Sequence, residues 1–177
     1  DARRGYEAWL VCVGQEYQKK YPRFYSQHKN FLKYSGTAYF SNMIVNLYKL
    51  YDSRSDNDGK PLSIPILIND AKKSGLVSND NLEKIKNKKK KAEEVWKKVK
   101  ILRNNLIAHR CRSLTPNFIY RCAKIRLYEL EQATDLNLWI LNTICSGLGF
   151  KKRYFDVQFF KDMIRILDVL SRTAGEV

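Results

Sequence analysis

Residues 80–112 read DNLEKIKNKKKKAEEVWKKVKILRNNLIAHRCR, and this stretch decides the fold because nothing in it breaks a helix. Asp80, with Glu83 three residues later, is typical of a capping-box-like helix start. An α-helix turns by about 100° per residue, and at this angle the apolar residues of the stretch fall on one side of the helix, which we call the apolar arc. That arc carries Ala92, Val95, Val99, Leu102 and Leu106. The stretch predicts the longest element of the protein, a helix of roughly 30 residues with one buried face.

Apolar residues at helical spacing predict three helices before the long one. The first covers residues 6–22 and ends at a proline, and the second buries a stripe within residues 39–51. Residues 24–33 lack a clear period and are predicted as a loop or a short helix. A polar loop is predicted near residues 52–62. The third helix lies within residues 63–75, where a serine is placed to cap its start and a glycine to end it.

Two helices are predicted after the long one. Thr115 followed by Pro116 is a helix-start pattern. The helix from there to Gly147 should bury Phe118, Cys122, Ile125, Leu136, Ile140 and Ile144. The last helix begins near Asp156 and should turn Phe159, Met163, Ile166, Leu167 and Leu170 toward the core.

These elements predict an all-α protein, a single-domain bundle of five or six helices over residues 1–177. No segment alternates in the way that strands do. No apolar run approaches the roughly 18 residues that a membrane span needs, so no membrane partner is expected. With 44% hydrophobic residues the chain has enough apolar side chains for a core, which excludes wholesale disorder.

The net charge of +15 favours a polyanionic partner, and nucleic acid before a membrane surface. The four cysteines lie far apart at Cys12, Cys111, Cys122 and Cys145, without any metal-ligand spacing. They are predicted to be reduced, partly buried thiols, which favours a cytoplasmic location. No carboxylate–histidine cluster is present to hold a metal, so neither a metal nor another cofactor is expected.

The candidate for chemistry is the octet from Arg103 to Arg110, which contains His109, one of only two histidines. Histidine exchanges protons near neutral pH. On a regular helix Arg103 and His109 would flank Leu106, each about 60° away, and lie about 9 Å apart along the axis. A site that uses both therefore needs a bent helix end or a second copy of the chain. The alternative is structural, because histidine and arginine near a helix C-terminus interact favourably with the helix dipole.

The segment from Leu102 to Arg110 resembles the signature of the HEPN superfamily (higher eukaryotes and prokaryotes nucleotide-binding). That signature is an arginine, a polar residue and a histidine four to six positions beyond the arginine. The helix end Asn46–Asp52 and the lysine-rich helix also resemble the abortive-infection branch of the superfamily.

The resemblance implies a small helical bundle that dimerises, with the motifs of two chains meeting in one cleft. It also implies a metal-independent endoribonuclease that acts as a toxin or an antiviral defence effector. His109 would then be the acid–base group, and Arg103 would bind the phosphate and stabilise the transition state. Asn104 would have a positioning role through its hydrogen bonds. RNA, a second copy of the chain and an antitoxin protein are the implied partners. Some HEPN toxins carry, two residues after the histidine, a tyrosine that an antitoxin modifies; Cys111 stands there, so that form of neutralisation is not predicted.

Basic residues around the octet are the candidates for RNA binding. Between residues 84 and 100 the chain has nine lysines, which form either a solvated face or a track for the RNA backbone. The predicted RNA contacts are Lys97, Lys100, Arg110 and Arg112. Two other functions stay open: a non-catalytic RNA- or nucleotide-binding helical module, and a protein-interaction bundle whose charge is incidental.

Overall fold

A computed structural model describes residues 1–52, 63–75, 77–108, 115–152, 154 and 157–173. The predicted all-α fold is confirmed, since these residues form helices and no strand occurs among them. They contain nine α-helices and one π-helical segment, which is more than the five or six predicted. The α-helices are α1 (Ala2–Val13), α2 (Gln15–Lys20), α3 (Pro22–Gln27), α4 (Lys29–Lys49), α5 (Ile64–Ser74), α6 (Asn79–Leu102), α7 (Pro116–Ala123), α8 (Leu127–Gly147) and α9 (Val157–Thr173).

The first predicted helix is divided at Gly14. Its backbone there is extended, with φ −67° and ψ 129°, so α1 ends at Val13 and α2 begins at Gln15. A Cβ atom on Gly14 would lie 2.5 Å from the carbonyl oxygen of Leu10. Only glycine fits this close approach, and the apolar periodicity across it gives no sign of the break.

The predicted helix from Pro116 to Gly147 is also divided. Lys124 has a left-handed backbone with φ 47°, which ends α7. The carboxylate of Glu129 then accepts a hydrogen bond of 2.7 Å from the backbone N–H of Arg126 and caps the start of α8. Two predicted core residues of this region, Phe118 and Cys122, are instead exposed, because the break lets α7 turn independently of α8.

Most of the remaining helix boundaries fall close to their predicted positions, but α4 begins at Lys29, ten residues before the stripe predicted within residues 39–51. Residues 24–27 complete α3 and residues 29–33 begin α4, with a turn at His28 between them. Gly75 ends α5 in the left-handed conformation with φ 68°, as predicted. The long helix begins one residue before Asp80, where Ser78 accepts a 3.4 Å hydrogen bond from the backbone N–H of Asn81. The predicted polar loop near residues 52–62 lies outside the described residues, apart from its first one.

Contacts divide the chain into two compact units, unit 1 (Asp1–Met43 and Phe155–Val177) and unit 2 (Ile44–Tyr154). The single domain over residues 1–177 stays a prediction. In unit 2, α6 packs against α7 and α8. Four of the five predicted apolar-arc residues of the long helix, Ala92, Val95, Val99 and Leu102, are buried as expected. Leu106, the fifth, is half-buried.

In unit 1, helix α9 packs against α1 and α3. The hydroxyl of Tyr21 donates a 2.5 Å hydrogen bond to Asp168 of α9, and Leu167 enters the core as predicted. Ile166 and Leu170 do not: they are 57% and 41% exposed and line an apolar cavity of about 310 Å³. No helix within the described ranges has both the length and the hydropathy to cross a bilayer.

The described cysteines differ strongly in environment. All three are free thiols; Cys12 is buried, Cys145 is half-buried and Cys122 is exposed, so the prediction of partial burial is wrong for Cys122. Burial raises the pKa of the Cys12 thiol from 9.0 to about 11. Cys111 lies outside the described residues.

We expect native-state alkylation with iodoacetamide at pH 8 to modify Cys122 rapidly and Cys12 at least about 100-fold more slowly, because the thiolate is the reactive form. Peptide mass spectrometry of timed samples measures both rates, and unfolding in guanidinium should remove the difference. Equal native rates would contradict the buried position of Cys12.

Candidate functional site

The first six residues of the octet lie where the long helix changes its hydrogen-bonding pattern. Residues Arg103–Ala108 form a π-helix, so the predicted regular helix to about Arg112 is wrong. A π-helix has i→i+5 hydrogen bonds and therefore more residues in each turn than an α-helix. The angles calculated for a straight α-helix do not apply beyond Leu102. Such segments are rare and occur frequently at functional sites.

Arg103 is held over an aromatic ring. The central carbon of its guanidinium lies 4.8 Å from the centroid of the Tyr48 ring in the last turn of α4. A cation at this distance is attracted by the negative face of the ring. Tyr48 is only 5% exposed and Arg103 is half-buried. The arginine is therefore fixed at the rim of the core instead of extending into solvent.

Asn104 contacts the same guanidinium. Its Oδ1 atom accepts a 3.1 Å hydrogen bond from Nη1 of Arg103. Adjacent side chains do not face each other on a regular α-helix. The wider π-helical turn brings them closer in angle, so the structure joins two of the three predicted catalytic residues.

Asn105 is part of this arrangement, and sequence reasoning missed it. Its side-chain amide donates a 2.8 Å hydrogen bond to the carbonyl oxygen of Ile101, at the point where the helical pattern changes. Asparagine is unfavourable inside helices because its side chain competes for backbone hydrogen bonds. Two consecutive asparagines were therefore the signal in the sequence for a distorted helix.

An aromatic cluster of Tyr48, Tyr51 and Trp96 supports the arginine. The Trp96 ring stacks on Tyr48 with centroids 5.8 Å apart, and its Nε1–H donates a 3.0 Å hydrogen bond to the Tyr48 carbonyl oxygen. Tyr51 lies 6.2 Å from Trp96 and donates a 2.7 Å hydrogen bond to Asn137 of α8. Burial, and secondarily the charge of Glu93, raise the pKa of Tyr51, so this hydroxyl stays a donor.

Neither Trp96 nor Tyr48 was predicted as a site residue. The sequence signal for Trp96 was its position seven residues before Arg103, because residues two helical turns apart lie on the same face of a helix.

The two predicted RNA-binding lysines of α6 are exposed. Lys97 extends into solvent, and Nζ of Lys100 lies 5.4 Å from the Trp96 ring. Lys97, Lys100 and Arg103 follow each other at every third residue, so each is one turn from the next along the helix surface. The other predicted residues, His109, Arg110 and Arg112, lie outside the described residues.

Several lysines of α6 have intramolecular partners. Nζ of Lys98 lies 2.5 Å from the carboxylate of Glu129, and Lys89 forms an ion pair of 2.9 Å with Glu93. Nζ of Lys88 lies 4.7 Å from the Trp139 ring. The carboxylates neutralise Lys98 and Lys89 within the protein, so these two lysines are poor candidates for an RNA track.

Nothing in the described ranges forms a metal-binding group of three or more histidine, cysteine, aspartate or glutamate side chains. The site consists instead of one fixed guanidinium, its amide partner and two exposed ammonium groups. This donor set suits a phosphodiester, because arginine and lysine are the side chains that bind phosphate oxygens most strongly.

A family model for AbiU2, a HEPN-type family associated with abortive infection, matches residues 2–165. The chain belongs to the HEPN AbiU2 family. The resemblance to the abortive-infection branch of HEPN proteins is thus confirmed, and the match includes both the end of α4 and the π-helix. No curated protein and no solved structure matches the chain.

In this HEPN AbiU2 protein the ion pair of Lys98 and Glu129 fixes the start of α8 to α6. Burial alone would raise the pKa of Glu129, but the hydrogen bonds from Lys98 and from the Arg126 backbone outweigh it and lower this pKa below 4.5. A carboxylate whose folded pKa is lowered stabilises the fold above its unfolded pKa, and this stabilisation disappears as the pH falls through the folded value.

We expect Glu129→Gln to lower the free energy of unfolding by about 1 kcal/mol at pH 7. Glutamine can still cap the helix, so the loss reports the charge. The difference from wild type should shrink as the pH falls below the unfolded pKa of glutamate, about 4.3, as measured by urea unfolding at pH 7 and at acidic pH. Glu94→Gln, at an exposed carboxylate of α6, is the control and should change little. A difference that is equal at both pH values would refute the role of the charge.

Proposed function

We propose that this HEPN AbiU2 protein is a metal-independent endoribonuclease that acts as a cytoplasmic toxin or defence effector. The observation that carries the proposal is the fixed Arg103 guanidinium, bound to Asn104 and seated on Tyr48 in a π-helical turn of a HEPN motif. Membership of an abortive-infection family supports the defence role.

The reaction is an internal transesterification of RNA. The ribose 2′-oxygen loses its proton to a base and attacks the adjacent phosphorus, and the bond from phosphorus to the 5′-oxygen breaks. The products are a 2′,3′-cyclic phosphate and a 5′-hydroxyl, which takes up a proton. His109 supplies the acid–base function, Arg103 stabilises the charge on the non-bridging oxygens, and Asn104 sets the direction of the arginine. None of these steps requires a metal.

The site is proposed to be completed by a second copy of the chain. Large apolar side chains are exposed on α7 and at the start of α8, directly after the motif in sequence. They are Phe118, Tyr120, Leu127 and Tyr128. Exposed aromatic side chains are enriched at protein–protein interfaces, which supports a homodimer, and an antitoxin protein is the second proposed partner.

We expect wild-type protein to cut mixed cellular RNA in the presence of chelator and to leave 2′,3′-cyclic phosphate ends. His109→Ala and Arg103→Ala should lower the rate by at least about 100-fold. Gel analysis with end-specific labelling measures both. His28→Ala, at the other histidine of the chain, is the control and should retain activity.

Salt-sensitive RNA binding without any cut product would favour the non-catalytic RNA- or nucleotide-binding module. Failure to bind RNA at low salt would favour the protein-interaction bundle. Cleavage that survives His109→Ala would refute the assigned chemistry.

We further expect Lys97 and Lys100 to bind the RNA backbone. The double variant Lys97→Ala/Lys100→Ala should weaken RNA binding and reduce the slope of log K against log salt by about 1.4, since each phosphate contact on a single strand contributes about 0.7. Fluorescence anisotropy with a labelled RNA over a salt series measures the slope.

The matched control for this experiment is Lys84→Ala/Lys91→Ala. Both lysines are exposed on the same helix and carry the same charge, but they lie at least about 120° around the axis from Lys97 and Lys100. Equal loss in both double variants would show that only the bulk charge matters.

A further inference from the structure

The aromatic ring beneath Arg103 belongs to Tyr48, which has no role in the reaction described above. We propose that Tyr48 is a second positioning residue of Arg103, beside Asn104, and that its ring aims the guanidinium at the RNA phosphate; this role rests on the proposed function of the same site. Tyr48 does not touch the substrate in this proposal. It acts through the arginine that does.

The first support is the rigidity of the ring. Tyr48 is 5% exposed, and the Trp96 ring stacks on it with an interplanar angle of 19°. The indole N–H of Trp96 also binds the Tyr48 carbonyl oxygen, so both the ring and the backbone of this residue are held against α6. A free arginine side chain samples many rotamers, and stacking on the immobile Tyr48 ring removes most of that conformational freedom.

The second support is that stacking leaves N–H donors of the Arg103 guanidinium available for a ligand. A guanidinium that lies over a ring keeps its N–H donors in its own plane, away from the ring. Nη1 donates to Asn104, and the side chain has no other hydrogen-bond acceptor among the described residues. Arginine has five N–H donors, so a pair remains for a bidentate contact with a phosphate.

The third support is the position of the neighbouring cation. Lys100 lies on the Trp96 ring, and Trp96 lies on Tyr48. The two stacked rings thus hold the two cations that precede the motif histidine on the same side of the helix. An aromatic face holds a cation without neutralising it, whereas an ion pair with a carboxylate would compete with the phosphate.

Preorganisation predicts a particular kinetic effect. A guanidinium already fixed in the free protein has little reorganisation to undergo in the transition state, so loss of the ring should lower kcat more than it raises KM. A Tyr48 that only fills the core would change the amount of folded protein and leave the kinetics of the folded fraction intact.

The first experiment observes the arginine without RNA. In ¹⁵N NMR spectra, Arg103→Lys identifies the Nε–H signal of Arg103 by its loss. We expect this signal to be ordered in wild type and in Tyr48→Phe, and to become mobile in Tyr48→Leu. Tyr51→Leu is the matched control, because it removes a buried ring of the same cluster that contacts Trp96 and not Arg103. An ordered Arg103 signal in Tyr48→Leu would overturn the proposal.

The second experiment is a double-mutant cycle on folded protein, checked by circular dichroism. Tyr48→Leu should lower kcat/KM for RNA cleavage about tenfold, with Tyr48→Phe within about twofold of wild type. In an Arg103→Ala background, Tyr48→Leu should have no further effect. A full additional loss in that background would show a structural role and overturn the proposal.

The same cycle separates this proposal from the proposed function. If wild type cuts no RNA while Arg103 is ordered by Tyr48, the ribonuclease proposal fails and the cycle is measured on the Kd for RNA. Coupling between Tyr48 and Arg103 in that Kd supports positioning for phosphate binding. Additive losses in the Kd would overturn the positioning role.

Discussion

Burial of the narrow apolar arc of α6 is the interaction on which unit 2 depends. A helix with this many lysines gains little from its intrinsic preference for the helical state, because like charges repel along its surface. Ala92, Val95, Val99 and Leu102 are buried against the rest of unit 2, where α6 packs on α8. That packing sets the rotation of the helix about its axis. The rotation in turn decides which lysines reach solvent and where Arg103 begins the π-helix.

The aromatic residues of unit 2 hold several of the charged side chains in place through cation–π contacts. Lys88, Lys100 and Arg103 each lie over an aromatic ring, and Lys98 lies against a carboxylate. A ring accepts a cation at low desolvation cost and leaves its charge in place. The protein can therefore keep a high positive charge on one helix and still hold selected cations in fixed positions. A phosphate-binding surface needs both properties.

The sequence predicted the features that depend on side chains repeating along one helix. The buried arc of α6, the Thr115 cap, whose hydroxyl accepts from the Phe118 N–H, and the Gly75 end are examples. Breaks at single residues were missed. At Gly14 the break depends on the approach of one carbonyl, and at Lys124 on a left-handed backbone that the apolar period does not encode.

The same limit applies to the site. Arg103 and Asn104 were predicted from a local motif, and the structure joins them. The contact of Arg103 with Tyr48 joins residues that are 55 positions apart in the sequence (103 − 48), and no periodicity predicts such a pair. The π-helical segment contains both kinds of contact: the local hydrogen bond of Asn105 to Ile101 and the distant contact of Arg103 with the Tyr48 ring.

The π-helix also has a consequence for chain length. A turn with i→i+5 hydrogen bonds holds more residues than an α-helical turn, so the segment Arg103–Ala108 stores extra chain within the helix. Removal of one residue from this segment would let it close as an α-helix with nearly unchanged entry and exit. The helix before the arginine would keep its place, because the four buried residues of its apolar arc all precede Arg103.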